Sequence, residues 1–401
     1  MDNSNSKQWC FAPIDTWFFR EARPYDSIGG TQLSSIFPPS ARTVAGAVRT
    51  LIGENTEVDW NDFHQNENHH LRKEIGDSKQ LGQLKLVGPY LLNDNQRLYP
   101  VPLILLEADV KRKSEVKKNT NTRIKFKSKN TSTQKQFVRL HPGYKPVNCD
   151  LGHVYLPEIT ALKNKVIENA KPIENAWLTA ENLQYILEGE IPHDVEYLSK
   201  LVDTENRLGI ALNRKTRSVE EHQLYQSQHI RIRYYVNLQV GVTVGGINEA
   251  LHPKETGQIR FGGDGRLADV TISTSLPTQL KSPDFTKAKN GIFLTLLTPA
   301  NLGKNWLLPN FTETDDEKGA KIWNGTIKGV ELTIVCAVLG KSIRDGGWDL
   351  ANNQPRQVIS LVPAGSVWFC KVRKGNPADL QGYHIGQETE LGRGELAVGI
   401  W

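Results

Sequence analysis

The amino-acid sequence predicts an α+β protein. Three observations carry this. Apolar residues recur at helical spacing in two segments, 37–53 and 178–189. Alternating or continuous β-prone runs recur through the second half. The first half reads strand, helix, hairpin, helix, close to the split β-α-β order of a ferredoxin-like domain.

The elements follow in order. "WCFAPIDTWFF", residues 9–19, is aromatic and β-prone and reads as a first strand. In "FPPSARTVAGAVRTLIG", residues 37–53, Ser40 is the expected N-cap and Gly53 the expected stop. Val44, Ala47, Val48, Leu51 and Ile52 form its buried stripe. Gly46 and its alanine neighbours are expected to let this helix press close to a sheet. Arg42 falls in the first turn, where the helix dipole disfavours a cation, and Arg49 lies on the same side seven residues on. Residues 54–82 read as polar and irregular. "QLKLVGPYLL" and "LYPVPLILL" flank the turn signal "NDNQ" and read as a hairpin. "LTAENLQYILEG" reads as a helix capped by Thr179, buried along Leu183, Ile186 and Leu187, and stopped by Gly189. In "IRIRYYVNLQVGVTV", residues 230–244, period-two alternation predicts one long strand. Ile230 to Val244 supply its apolar face, and Arg231, Arg233, Tyr235, Asn237 and Gln239 its open face. "GIFLTLLTP", "KGVELTIVCAVLG" and the pair "QVISLV"/"SVWFCKV" across "PAG" add strands. The expected division is 1–200, with a polar insertion at 54–82 and a basic one at 110–145, and 203–401, β-rich with a glycine-rich loop.

Composition narrows the function. The chain has 401 residues, 38% apolar, with nine Trp, so it buries real cores. There is no run of 18 apolar residues and no charged-then-apolar leader pattern, so a cytoplasmic protein with no membrane contact is expected. Cys10, Cys149, Cys336 and Cys370 form no CxxC pair, so neither a zinc site nor a disulfide framework is implied. Most are expected to be buried free thiols. Val110 to Lys145 holds twelve Lys or Arg against Glu115, a local +11 in a chain whose total is +5. That is either the footprint of a polyanion partner or a solvated loop whose lysines keep it soluble.

No catalytic, metal or cofactor motif emerges. His64, His69 and His70 lack HExxH spacing and read as exposed loop histidines. GxSxG and Walker patterns are missing. The glycines of "GGDGR" (Gly262, Gly263, Arg266) and of "HIGQETELGRGELAVGIW" (Gly386, Gly392, Gly394 around Arg393) fit backbone that follows a phosphate strand while arginine supplies charge; they also fit ordinary turns. Arg20 and Arg23 follow the first strand, and Arg207, Arg214, Lys215 and Arg217 lie in 205–225. Arg231 and Arg233 can pair phosphates and Tyr235 can stack a base. Salt bridges to Glu205, Glu220 and Glu221 are the alternative for the 205–225 group.

The phrases "PIDTWFFREARPY", "FPPSARTVAGAVRTLIG", "ENRLGIALNRKTRSVEEHQLY", "FGGDGRLADV", "VPAGSVWF" and "IGQETELGRG", in this order from residue 13 to 394, resemble one family. It is the RAMP-superfamily subunit that caps the guide-RNA 5′ handle in type III-B CRISPR (Cmr) effector complexes. Asp264 stands where that family commonly has Glu. Residues 54–82 and 110–145 match no family phrase.

The resemblance implies two packed ferredoxin-like (RRM-like) RAMP domains with inserted loops. It implies a non-catalytic subunit that binds the guide RNA beside the large Palm-domain subunit and the first backbone RAMP subunit. It also makes Gly386 to Gly394 the RNA-contacting loop. Arg42 is then expected to face guide-RNA phosphate or an acid such as Asp15 or Glu21. Two other readings stay open. One is a metal-independent RAMP endoribonuclease processing precursor guide RNA through His141, His222 or His229. The other is a protein-bridging module that holds no RNA.

Overall fold

The computed structural model describes residues 5–21, 32–77, 80–112, 134–162, 164–212, 216, 218–254, 257–349 and 352–401. Arg23, Arg214, Arg217 and most of the basic insertion lie outside them. The elements used below begin with β1 (Lys7–Pro13), α1 (Ala41–Asn55), α2 (Trp60–Gln65) and α3 (His70–Ile75). β2 (Lys85–Asn93), β3 (Gln96–Pro100), β4 (Leu105–Arg112), β5 (Gln134–Pro142) and α4 (Ala180–Leu187) follow. β6 (Val202–Leu212), β7 (Val219–Ile232), β8 (Leu238–Gly245) and β9 (Leu267–Ser273) come next. β10 (Ile292–Leu296), β11 (Val330–Val338), β12 (Ile343–Asp345), β13 (Val367–Lys374) and β14 (Leu396–Ile400) complete the set. Mixed helices and several antiparallel sheets make this an α+β protein.

One eight-stranded sheet carries β3, β2, β8, β1 and β9 as consecutive neighbours. Its register places Phe11 opposite both Val240 and Val270. One face is apolar: Trp9, Phe11, Val240, Val242 and Val244 are fully buried against Val44, Val48 and Ile52 of α1. A second sheet carries β11, β13, β10 and β14 as neighbours. Its covering helix is α4, whose Leu183, Ile186 and Leu187 pack with Phe293, Phe369 and Ala397. The expected boundary at 200–203 therefore cuts across both units: β8 and β9 join the sheet of β1, and α4 packs on the later sheet.

Local chemistry explains the elements. The Ser40 hydroxyl accepts the Thr43 N–H at 3.3 Å, and Thr179 accepts that of Asn182 at 3.3 Å, so both predicted caps form. Asp94 and Asn95 both take positive φ, 49° and 63°, which closes the tight turn between β2 and β3. Gly189, at φ 89°, ends α4.

Several expectations are corrected. The first strand ends at Pro13, which lacks an N–H to continue the ladder. α1 continues past Gly53 to Asn55. A side chain at Gly53 would meet the Trp60 ring at 2.4 Å, so this glycine serves packing. Gly46 is exposed and a Cβ there would touch nothing, so it does not bring the helix closer to the sheet. Residues 54–82 are partly helical, because Phe63, Leu71 and Ile75 anchor α2 and α3 in the core.

The fifteen-residue strand is in fact two. β7 ends at Ile232, Arg233–Asn237 turn, and β8 starts a different sheet. Alternation ran through the turn by coincidence; Tyr234, expected inward, is 99% exposed. Ile359–Leu361 pairs with β12 and not with β13. The basic insertion rises from a ribbon stem, β4 against β5, with Val110 opposite Gln134. Cys10, Cys336 and Cys370 are buried free thiols and Cys149 is exposed. No helix among the described residues is long and apolar enough to cross a membrane.

Candidate nucleic-acid interface

β6 and β7 pair over nearly their whole length, from Val202 opposite Ile232 to Leu212 opposite Val219. Alternation along them puts Glu205 and Arg207 beside Arg231 on one face. Arg207 donates to Asp15 at 2.7 Å and to Glu205 at 2.7 Å. Arg231 donates to Glu205 at 2.5 Å and to Asp15 at 3.0 Å. Arg266 reaches Asp15 at 3.4 Å. Three guanidiniums thus share two carboxylates. Hydrogen bonds from Arg207 hold the Asp15 carboxyl below its usual range, and those from Arg231 do the same for Glu205. The Arg231 side chain remains 43% exposed, so its donors are open to exchange with an incoming anion.

The Gly262–Arg266 turn delivers Arg266. Gly262 takes φ 93°, and a Cβ there would lie 2.5 Å from the Phe18 carbonyl oxygen. The Gly263 N–H donates to that same oxygen at 2.7 Å. These glycines therefore approach the chain's own backbone. Under the turn sits His229, its side chain fully buried. Thr16 lies 3.1 Å from its Nδ1; Ser227 and Asp264 lie 3.0 and 3.1 Å from its Nε2. Burial and then the Arg207 charge push its pKa down, so the ring is held neutral.

At the turn after β7, Arg233 donates to Asp203 at 2.7 Å and to the Tyr235 hydroxyl at 3.4 Å. Of the expected open face, Arg231 sits on β7 and Gln239 on β8; Arg233, Tyr235 and Asn237 stand in the turn between them, with Tyr235 62% exposed. Arg20 is exposed, and its backbone bridges Ser35.

The C-terminal glycine segment departs from expectation. Arg393 is 2% exposed and donates to Asp345, itself 5% exposed, instead of facing outward. Its Nε lies 3.4 Å from Glu388. Gly386, Gly392 and Gly394 take φ of 87°, 86° and 72°. A Cβ there would strike the backbones of Asn301, Gly88 and Ile385. Only Gly386 to Glu390 stay at the surface.

Arg42 joins this interior group, bonding Glu388 at 2.6 Å with Asp345 3.9 Å away. Its partners are therefore neither Asp15 nor Glu21. The two acids also answer the positive end of α1. Burial alone would raise the Glu388 carboxyl, but the Arg42 hydrogen bond and the Arg393 charge hold it below its usual range.

Among the described residues no three His, Cys, Asp or Glu side chains group as a metal site. His64 and His70 are exposed, while the half-buried His69 accepts the Leu71 N–H at 3.2 Å. Sequence reading missed Asp345, whose partners Arg393 and Arg42 lie more than 40 residues away, the pairing of Glu388 with the distant Arg42, and the shared role of Asp15. The pair His229 and Asp264 left no spacing signal either.

This geometry, an exposed arginine cluster on a long strand pair beside glycine turns, accords with comparisons that place the chain among CRISPR-associated proteins. A family model described as CRISPR-associated protein (Cas_Cmr3) matches residues 9–401, and the chain belongs to that family. The CRISPR system CMR subunit Cmr3 of Saccharolobus solfataricus is 30% identical over 186 residues, which cover 44% of this chain. The match spans about half, 48%, of that relative's length. Two solved chains of the type III-B Cmr-beta complex also align. One is from the complex bound to cognate target RNA and AMPPnP, at TM-score 0.46 and 13% identity; the other is from the complex bound to cognate target RNA, at 0.47 and 14%. Each alignment covers 90% of this chain and 86% of the other, and at these TM-scores carries no argument.

Proposed function

We propose that this chain is a non-catalytic, cytoplasmic RNA-binding subunit of a type III-B CRISPR effector complex, built on two ferredoxin-like halves. In this reading it caps the guide-RNA 5′ handle and docks the large Palm-domain subunit to the backbone filament. The observation that carries the RNA reading is the convergence of Arg207, Arg231 and Arg266 on Asp15 at the surface. Guanidiniums fixed by carboxylates stand ready for phosphate oxygens, with little ordering entropy left to lose. The exposed Tyr234 and Tyr235 offer ring faces for a base.

A crosslink map of guide RNA on the assembled complex tests the reading. Adducts at Arg231 to Tyr235 and the Gly262 turn are expected. Adducts confined to other chains would overturn it and leave a protein-bridging module.

The contact of His229 with Ser227 and Asp264 favours one second reading, a metal-independent endoribonuclease. A general base must reach the proton that it takes. His229 is closed off from solvent, and the Nδ1 of His141 lies 2.7 Å from the Pro142 carbonyl oxygen. The His222 side chain lies outside the described residues. Incubation of the purified chain with repeat RNA without metal decides the matter: a discrete product lost in His229→Ala would replace the proposal.

A further inference from the structure

Asp264, at the tip of the Gly262–Arg266 turn, is unfavourable on two counts. It takes φ 57°, in the left-handed region that a glycine occupies without steric penalty. Its carboxylate, 36% exposed, also stands beside guanidiniums that are the proposed phosphate ligands, where a negative charge repels a polyanion.

His229 accounts for the choice. Its ring lies among the three segments that build the arginine cluster. Nδ1 is 3.1 Å from the hydroxyl of Thr16, next in the chain to Asp15. His229 itself stands on β7 two residues before Arg231. Ser227, 3.0 Å from Nε2, lies opposite Arg207 in the strand pair. Asp264, 3.1 Å from the same Nε2, belongs to the turn that ends in Arg266. A carboxylate only accepts, so Nε2 carries the proton and Nδ1 accepts from Thr16. Phe18 stacks on the ring, with centroids 5.1 Å apart and planes 15° apart.

The ring does not need Asp264 to satisfy its proton, because the Ser227 hydroxyl is already in reach. The turn does not need it for attachment either, because the Gly263 N–H donates to the Phe18 carbonyl oxygen at 2.7 Å. One hydrogen bond is a pivot, however, and the turn carries glycine at 262, 263 and 265. The bond from His229 to Asp264 is a second tie, which fixes the rotation of the turn about the first. Arg266 takes its direction from that rotation. Its Nε donates to the Asp264 carbonyl oxygen at 3.1 Å, and its Nη1 reaches Asp15 at 3.4 Å.

We infer that His229 and Asp264 are positioning residues that aim Arg266 at an RNA phosphate. The inference rests on the RNA reading of the arginine cluster and deepens it by naming what sets the third guanidinium.

The sign of one substitution separates aim from charge. Asp264→Gly removes a carboxylate and suits the left-handed backbone. A residue that contributed only its charge would, once removed, leave RNA bound more tightly. With the tie lost, the full chain should instead bind labelled repeat RNA about fivefold more weakly in a filter assay, the worth of one guanidinium–phosphate contact. Asp264→Asn, whose amide oxygen still accepts from Nε2 and which tolerates the same backbone, should keep full affinity. Arg266→Ala should lose about as much as Asp264→Gly, and the two together no more than either; independent effects would multiply to about twenty-five-fold. Tighter or unchanged binding by Asp264→Gly, a multiplied loss in the double variant, or unchanged binding by Arg266→Ala alone would overturn the inference and leave the RNA reading standing. Unchanged binding when Arg207, Arg231 and Arg266 are all replaced by alanine would overturn the RNA reading, and the inference with it.

Discussion

Two arginine clusters use the same ion pairs to opposite ends. Around Asp15, Arg207, Arg231 and Arg266 lie at the surface with their bonds in reach of solvent. In the group around Asp345, Arg393 and Asp345 are 2% and 5% exposed, and Arg42 and Glu388, 22% and 27% exposed, close its outer side. The interior group ties the start of α1 to β12 and to the C-terminal glycine segment. Removing one partner there strands a charge in a poor dielectric. The surface group holds its guanidiniums in place while leaving them exchangeable. What separates a structural arginine from a binding one here is burial, which the residue type and its glycine neighbours do not disclose.

The largest expected effect lies inside. Asp345→Ala should lower stability by about 3–5 kcal/mol, because Arg393 loses its buried partner. Asp345→Ala with Arg393→Met should recover much of that in thermal denaturation. A loss below about 1 kcal/mol for the single variant would erase the contrast between the clusters.

At the surface, the Arg207→Ala, Arg231→Ala double variant should cost only about 0–1 kcal/mol per pair in stability. It should lower the slope of log K against log salt for guide RNA by about one per arginine removed. Asp15→Asn should act in the opposite direction, tightening RNA binding several-fold at low salt, with the gain fading as salt rises. A loss of affinity instead would make Asp15 essential to the arrangement.

The smallest effect is a pH dependence. The folded-state pKa of His229 lies below its ordinary 6.5, so the unfolded chain takes up a proton more readily. Its contribution to stability is present above pH 6.5 and is lost as the pH falls below it. The buried His252 shifts the same way. His229→Gln should flatten the fall in melting temperature between pH 7 and 5 by part, not all, of its size.

What the sequence disclosed was local. The caps Ser40 and Thr179, the Asp94–Asn95 turn and the buried stripe of α4 depend on residues within one or two turns of each other, so spacing reveals them. The break at Arg233–Asn237 was hidden because its apolar residues kept the period of the flanking strands. The glycine turns were visible as turns, but the backbone they press against belongs to distant segments. The same distance hid the interior charge group: nothing near Arg393 in the chain announces Asp345.

The position of β1 has a consequence for how the protein is made. Its two sheet neighbours, β8 and β9, begin at Leu238 and Leu267, so β1 waits for a long stretch of later chain before either edge is covered. Such distant pairings are slow to close and leave strand edges open meanwhile. Trp9 and Phe11 stay without their sheet partners through that interval.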